Sequence, residues 1–305
     1  MKSLSSGKLA KLLQSDSPPR VLDVRLADDH QAIRIPGSVH NCVFEIAFRE
    51  RLPESAPDKQ QAIVIYGASE KSAEAGMAAE KLERAGYTEV LVLKGGIRSW
   101  HDDDHPVEQG PSPAADPSPP HGRFDLNLDE CRLEWIGRNL INRHYGTVDL
   151  SSGHLDFKKG DLTGGCMEFD FKTLKCADLA DTELHDVLIR HLQDHDFLDV
   201  EKHPTGRLVI TSSFHVPDAT PGSPNLMIKA ELTLRGKTKP IEFTATGGPG
   251  PDGNPAAQAA FSIDRTEWGI LYGSGRFFDR LAGHLVNDLV EFQARILTKS
   301  PDSTE

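Results

Sequence analysis

Short apolar runs alternate with helix-forming stretches in the N-terminal third of the chain. Residues 21–24 form a brief apolar run, and residues 62–66 read AIVIY, a β-branched run typical of a strand buried on both faces. Good helix formers fill residues 72–85, which end before Gly86, and a further strand is predicted at residues 89–93. This order predicts an α/β domain whose parallel sheet is flanked by helices.

Beyond residue 122 the pattern changes to a period of two. In residues 226–234 every second position is Leu, Ile or Ala, and the positions between them are mostly polar. Clusters of Gly, Pro and Asp separate several such runs, which predicts an all-β antiparallel barrel or sandwich. One amphipathic segment, residues 182–196, predicts a single short helix among the strands.

A proline-rich segment separates these two patterns. Residues 105–122 read HPVEQGPSPAADPSPPHG, and a run with so many prolines supplies few backbone donors for a helix or a sheet. We therefore predict one domain over residues 1–104, a linker over residues 105–122 and a second domain over residues 123–299.

The composition limits the classes of partner. A net charge of −12 disfavours nucleic acid and anionic membrane surfaces, because phosphate contacts require Lys or Arg. The N-terminal residues lack the apolar core of a secretory signal, and no apolar stretch reaches the length of a membrane span. The four cysteines have neither CxxC nor zinc-type spacing. We expect a cytoplasmic protein that does not span a membrane and binds no nucleic acid.

Four motifs in the first domain carry a family resemblance. They are LDVR at 22–25, IPGSVHN at 35–41, IVIY at 63–66 and GYTEVLVLKGGIRSW at 86–100. In this order they resemble a single-domain rhodanese over nearly all of the domain. The resemblance implies a sulfur-transfer loop directly after the IVIY strand, in which a cysteine carries a persulfide and backbone N–H groups stabilise its charge.

That loop lacks the expected nucleophile. It consists of Gly67, Ala68, Ser69, Glu70, Lys71 and Ser72. Gly67 stands where the resemblance places the cysteine, the loop is one residue shorter than the family pattern, and Lys71 and Ser72 match its usual closing Arg-Ser pair. Neither serine has an evident activating base, and Glu70 adds negative charge where a thiolate needs positive surroundings. Cys42 lies beyond the IPGSVHN motif, away from the loop, so we expect no sulfurtransferase activity.

Six segments of the second domain carry a second family resemblance. They are CRLEWIGRN (131–139), residues 145–171, HLQDHDFLDVEKHP (191–204), AELTLRGKTKPIEF (230–243), IDRTEWG (263–269) and VNDLVEFQARI (286–296). Together they resemble the YceI-like family of lipocalin-like, polyisoprenoid-binding barrels. The resemblance implies a barrel that holds an isoprenoid or another amphiphilic lipid in its interior.

The period-two pattern selects candidate wall residues of such a barrel. Inward positions are predicted for Trp135, Phe169, Phe171, Leu232, Phe243, Phe261 and Trp268. For each of them an ordinary position in the hydrophobic core is the more common role. Near the first hairpin, Arg138, His144 and Tyr145 are candidates to meet the polar head of a ligand at the barrel mouth.

No metal site or cofactor is predicted. His191 and His195 have the i, i+4 spacing of metal ligands on a helix, but no third ligand is in register with them. The run His101 to His105 is rich in donors but adjoins the linker, and neighbouring residues rarely converge on one ion. No arrangement of paired carboxylates or of a serine triad emerges.

Three hypotheses about function remain. The first is a non-catalytic lipid carrier or sensor whose inactive rhodanese-like domain docks a protein partner or has a regulatory role. The second is a sulfurtransferase with an atypical nucleophile, and Gly67 argues against it. The third is a structural interaction protein whose barrel is filled by its own side chains. The volume of the barrel interior distinguishes the first from the third.

Overall fold

The chain divides into two units, Met1–Asp116 and Pro117–Glu305, in a computed structural model that describes residues 2–111, 118–281 and 284–299. The division falls inside the predicted linker. Pro106, near the start of this segment, is held to the first unit, since its carbonyl accepts from the Trp100 indole N–H at 2.8 Å. The linker residues 112–117 lie outside the described part of the chain.

The first unit contains a five-stranded parallel sheet with the order β1-β6-β5-β2-β4 and an antiparallel pair of β3 with β7. The strands are β1 (Lys2–Leu4), β2 (Arg20–Asp23), β3 (Ile33–Arg34), β4 (Val39–His40), β5 (Ile63–Tyr66), β6 (Val90–Leu93) and β7 (Glu108–Gln109). The helices are α1 (Ser6–Leu13), α2 (Ala27–Ala32), α3 (Leu52–Ser55), α4 (Glu74–Arg84) and α5 (Gly96–Asp102), with a 3-10 turn at Ile46–Phe48. This confirms the predicted α/β domain.

The buried strand β5 and the amphipathic helix α4 show why the first unit folds as predicted. All four residues of β5 are buried at the centre of the sheet, as its β-branched run requires. In α4 the residues Ala75, Ala78 and Leu82 share the buried face at the spacing of helical turns. The helix ends before Gly86, whose φ of +91° is an angle that glycine adopts without strain.

The second unit consists almost entirely of antiparallel strands. They are β8 (Gly122–Asp125), β9 (Arg132–Arg138), β10 (Arg143–Lys158), β11 (Asp161–Cys176), β12 (Thr205–His215), β13 (Leu226–Leu234), β14 (Lys237–Pro249), β15 (Pro255–Asp264) and β16 (Leu289–Leu297). The helix α6 (Leu184–Gln193) and a 3-10 turn at Arg265–Trp268 interrupt them. The predicted helix at residues 182–196 is present but ends earlier, so that His195 lies beyond it.

Strands β9 to β16 close into a barrel. Each strand pairs with the next along the chain, and β16 pairs back with β9 to complete the ring. The long strand β10 pairs with β9 through its first half and with β8 through its second half. This confirms the predicted lipocalin-like fold. In the described part of the chain, no helix has the length and apolar character needed to cross a membrane.

Candidate functional site

The barrel interior contains a cavity of about 170 Å³. Inward-facing residues from β9 to β16 line most of it, because the period-two pattern directs alternate side chains to the inside. The remainder is lined by residues outside the strands: Leu192 of α6, Phe197 and Leu198 after it, and Arg265 and Ile270 after β15. Among the described residues, no polar atom contributes to the surface of this cavity. The surface of the cavity therefore resembles a hydrocarbon in its polarity.

Six of the seven predicted wall residues line this cavity: Trp135, Phe169, Phe171, Leu232, Phe243 and Phe261. Phe261 stacks between two aromatic rings from neighbouring strands. Its ring centroid lies 4.4 Å from that of Phe243 on β14 and 5.5 Å from that of Phe292 on β16. These rings form a continuous aromatic wall across three strands, and they also occupy part of the interior.

Trp268 differs from the prediction. It lies in the 3-10 turn after β15, where the period of two no longer holds, and it is 1% exposed. Its indole N–H donates to the Leu232 carbonyl at 3.0 Å. Trp268 is absent from the cavity lining and fixes the turn to β13 instead.

The three predicted mouth residues bind other groups of the barrel and do not line the cavity. The Arg138 guanidinium binds both carboxylate oxygens of Glu291, with Nε–Oε1 at 2.6 Å and Nη2–Oε2 at 3.1 Å. Tyr145 is half-exposed beneath the Arg143 guanidinium. His144 Nδ1 lies 2.8 Å from Asp178 Oδ2. None of the three lines the cavity.

Arg265 is a residue of this site that the sequence pattern did not reveal. It is 1% exposed, and its guanidinium donates to the backbone carbonyls of Asn287, Ile270 and Val286. Burial lowers the pKa of Arg265, against the opposing charges of Asp288 and Asp264. Its side chain joins the turn after β15 to the loop before β16 and also lines the cavity. Buried arginines are rare, so the residue type alone does not select Arg265 as part of the cavity wall.

The degenerate loop after β5 is organised around a carboxylate. Glu74, the first residue of α4, accepts a hydrogen bond from the Ala68 N–H at 2.6 Å and another from the Ser72 hydroxyl. A Cβ atom on Gly67 would lie 2.7 Å from both Cγ and Oε1 of Glu74. The Ala68 N–H, which an external anion in this loop would need, therefore already donates to the Glu74 carboxylate.

The rest of this loop is held from α5 and by its own side chains. The Gly67 carbonyl accepts from the Ile97 N–H at 2.9 Å, and the Lys71 N–H donates to the Ser69 hydroxyl at 3.3 Å. Glu70 is exposed, with its carboxylate 3.9 Å from Lys94 Nζ. Cys42 is buried, and all four cysteines are free thiols.

The donor pairs considered in the sequence do not form a shared metal site. His191 packs edge-on against Tyr272, with ring centroids 4.3 Å apart, whereas His195 is exposed and bonds to Asp194. His105 packs against Trp100 with ring centroids 4.4 Å apart. In the described part of the chain, donor atoms converge instead in an exposed group at residues 194–196 and in the group His144, Cys176 and Asp178.

Comparison with known proteins covers both units. The family model of the rhodanese-like domain matches residues 5–103, and that of the YceI-like domain matches residues 125–297. A UPF0312 protein of Pseudomonas putida is 36% identical over 138 residues, which is 45% of this chain. The match spans 65% of the length of that relative.

Solved structures are similar to one unit or the other. BcnA of Burkholderia cenocepacia is 16% identical and covers 58% of this chain and 100% of that chain, with a TM-score of 0.45. A polyisoprenoid binding domain from Saccharophagus degradans is 11% identical and covers 58% of this chain and 98% of that chain, with a TM-score of 0.44. The Alr3790 protein from Anabaena sp. is 26% identical and covers 35% of this chain and 92% of that chain, with a TM-score of 0.32.

The two family models agree with the two resemblances that the sequence motifs indicate. One of these models accounts for more than half of the chain, and the strand order of the second unit is that of a closed antiparallel barrel. The chain belongs to the YceI-like family and carries a rhodanese-like domain ahead of its YceI-like domain.

Proposed function

We propose that this protein binds an apolar chain, of an isoprenoid or another amphiphilic lipid, inside its barrel and catalyses no reaction. The observation that carries the proposal is the cavity with an entirely apolar surface. An apolar cavity of similar size, about 150 Å³, stays dry and binds benzene in an engineered protein. Hydrocarbon is thus the ligand chemistry that such a wall favours, and YceI-like membership fits lipid binding.

The cavity volume limits the length of chain that fits without rearrangement. Drug-sized ligand sites measure about 300–1,000 Å³, and the cavity here has about 170 Å³. A short apolar segment fits as the interior stands, and a longer chain requires wall side chains to move. Leu192 and Phe197 are the wall residues outside the strands that are best placed to do so, since α6 and its following turn carry them.

In this proposal the rhodanese-like domain is a docking or regulatory module in a cytoplasmic protein. Gly67 provides no thiolate, and the Glu74 carboxylate takes the Ala68 amide that would stabilise an anion. Among the residues that the structure describes, what remains is a folded domain with an exposed surface and no evident catalytic group. A protein partner is the kind of ligand that suits such a surface.

The test uses a variant that fills the cavity. Ala245 is buried and lines it, so Ala245→Leu adds volume where space exists. Purified full-length protein is titrated with farnesol, with tryptophan fluorescence as the readout because Trp135 lies in the wall. We expect saturable binding to the wild type and an affinity about tenfold lower, or about 1.4 kcal/mol, for Ala245→Leu.

The matched control is Ala260→Leu, which places the same side chain on the exposed face of β15 and should leave the affinity unchanged. Organic extraction of freshly purified protein, followed by mass spectrometry, reports any lipid that is already bound. If the extract is free of lipid and farnesol leaves the fluorescence of the wild type unchanged, the barrel is filled by its own side chains and the proposal fails.

A further inference from the structure

Three side chains with different donor atoms converge at the end of the barrel where α6 lies. His144 Nδ1, Cys176 Sγ and a carboxylate oxygen of Asp178 all lie within 4.8 Å of one another. His144 Nδ1 is 2.8 Å from Asp178 Oδ2, and Cys176 Sγ is 3.2 Å from Asp178 Oδ1. The cysteine is buried, whereas the histidine and the aspartate are partly exposed, which leaves a path from solvent.

The pairing of β10 with β11 sets this geometry. Gly146 of β10 lies opposite Cys176, the last residue of β11. A Cβ atom on Gly146 would lie 1.7 Å from the Lys175 carbonyl, so the close approach of the two strands requires glycine here. Beyond this pair, the Tyr145 N–H donates to Asp178 Oδ1 at 2.9 Å. His144 and Cys176 are therefore held at the paired ends of β10 and β11, and this hydrogen bond ties Asp178, in the turn after β11, to β10.

A second histidine lies beside the group. His185, in the first turn of α6, accepts the Cys176 N–H at Nε2, at 3.4 Å. Its Nδ1 lies 2.9 Å from Asp186 Oδ1. This carboxylate fixes Nδ1 as the protonated nitrogen, as is common for a metal-bound histidine. The Nε2 lone pair accepts the Cys176 backbone N–H, so a metal ion would take this lone pair in exchange for that hydrogen bond.

We propose that His144, Cys176 and Asp178 bind a divalent transition metal ion of the zinc type, with His185 as the fourth ligand. Thiolate, imidazole and carboxylate are the ligands of zinc, and four of them complete its tetrahedral shell. The mixed donor set disfavours Mg²⁺ and Ca²⁺, which take oxygen ligands. Zinc bond lengths place donor atoms roughly 3.3 to 3.6 Å apart, so the His144–Asp178 and Cys176–Asp178 pairs, at 2.8 and 3.2 Å, need only a small expansion.

Binding exchanges a proton for the metal. Metal ions bind the thiolate form of cysteine, so the S–H bond of Cys176 breaks as the sulfur–metal bond forms, and the proton leaves to solvent. The bound ion would connect the ends of β10 and β11 to α6, and α6 carries Leu192 of the cavity wall. The site is independent of lipid binding and does not rest on it.

The experiment titrates the reduced, chelator-treated full-length protein with Co²⁺, which reports tetrahedral geometry and thiolate ligation in its absorption spectrum. We expect one ion per chain, a thiolate-to-cobalt charge-transfer band, and displacement by Zn²⁺. Cys176→Ser should abolish the band, and His185→Ala should weaken binding about tenfold. The control is Cys166→Ser on the same strand, which should leave the spectrum unchanged.

A second measurement needs no variant. Alkylation of the wild-type protein by iodoacetamide, followed by peptide mass spectrometry, compares Cys176 with the other three thiols in the presence and absence of Zn²⁺. Selective protection of Cys176 supports the site. A cobalt spectrum without a thiolate band, a band that persists in Cys176→Ser, or equal alkylation of all four thiols with and without Zn²⁺ overturns it.

Discussion

At the scale of single residues, the first domain depends on a buried ion pair. Asp23 and Arg25 of the LDVR motif are 0% and 4% exposed, with Arg25 Nη2 2.7 Å from Asp23 Oδ2. His30 Nδ1 also lies 2.9 Å from this carboxylate. Burial raises the pKa of Asp23, but the hydrogen bonds and the charge of Arg25 outweigh it and leave the pKa below its ordinary value. The charged residues of the motif therefore stabilise the fold of the first domain.

Replacing Asp23 with Asn should destabilise the first domain by about 3 kcal/mol, because the Arg25 charge stays buried without compensation. Urea denaturation followed by circular dichroism measures the loss. The control Glu80→Gln removes an exposed pair with Arg84 at 4.0 Å and should change the stability by less than about 0.5 kcal/mol. An equal, small effect of both variants would contradict the structural role of the ion pair.

The same pair predicts a pH dependence. Because the folded-state pKa of Asp23 is lowered, its contribution is complete above the unfolded value of about 3.9 and is lost as the pH falls through the folded-state pKa. The difference in the free energy of unfolding between wild type and Asp23→Asn, measured by urea denaturation, should therefore become smaller at acidic pH. It should be constant from mildly acidic pH to neutrality.

The two tryptophans of the barrel show how far residue positions could be predicted. Trp135 lies within β9, where the period of two fixes the direction of its side chain, and it lines the cavity as predicted. Trp268 lies in a 3-10 turn, where alternation gives no direction. The group of His144, Cys176 and Asp178 was also beyond prediction, because its members meet through strand pairing and have no sequence spacing typical of a metal site.

At the scale of elements, the strands and helices could be predicted because their periods are set by burial. The prediction of helices α4 and α6 was correct, and only the predicted positions of their ends differ from the structure. The loop between β5 and α4 was predicted to lack a nucleophile. The hydrogen bond from the Ala68 N–H to the Glu74 carboxylate could not be predicted, because it depends on the path that the loop takes over the N-terminus of α4.

This loop makes a specific prediction about sulfur transfer. Wild-type protein and Gly67→Cys should both be inactive in a thiosulfate–cyanide assay. In the variant, the new side chain meets the Glu74 carboxyl group, with the Cβ position 2.7 Å from Oε1, and the Ala68 amide remains bonded to Glu74. Turnover by the wild type above a no-protein control, abolished by Cys42→Ser, would show instead that an unorthodox thiol carries the sulfur.

At the scale of the whole molecule, each domain has its own hydrophobic core. The buried residues of the barrel cluster lie between Leu126 and Ile296, and those of the first domain form two clusters between Leu4 and Trp100. The change from alternating elements to a period of two predicted this division. The pairing of β7 with β3 ties Glu108 and Gln109, near the start of the proline-rich segment, to the first domain.

Because each domain has its own hydrophobic core, we predict that the two domains unfold in separate transitions. Fragments covering residues 1–111 and 118–299 should each fold, with thermal midpoints close to those of the two transitions in the full-length protein.

The variant Asp23→Asn tests the same prediction in the full-length protein, because the ion pair that it removes lies wholly within the first domain. A loss of about 3 kcal/mol shifts the midpoint of a domain of this size by roughly 10 °C or more. Differential scanning calorimetry of the full-length variant should show this shift in one transition only, with the barrel transition unmoved. A single transition that moves as a whole would mean that the two domains unfold together, and the barrel would then depend for its stability on the domain that precedes it.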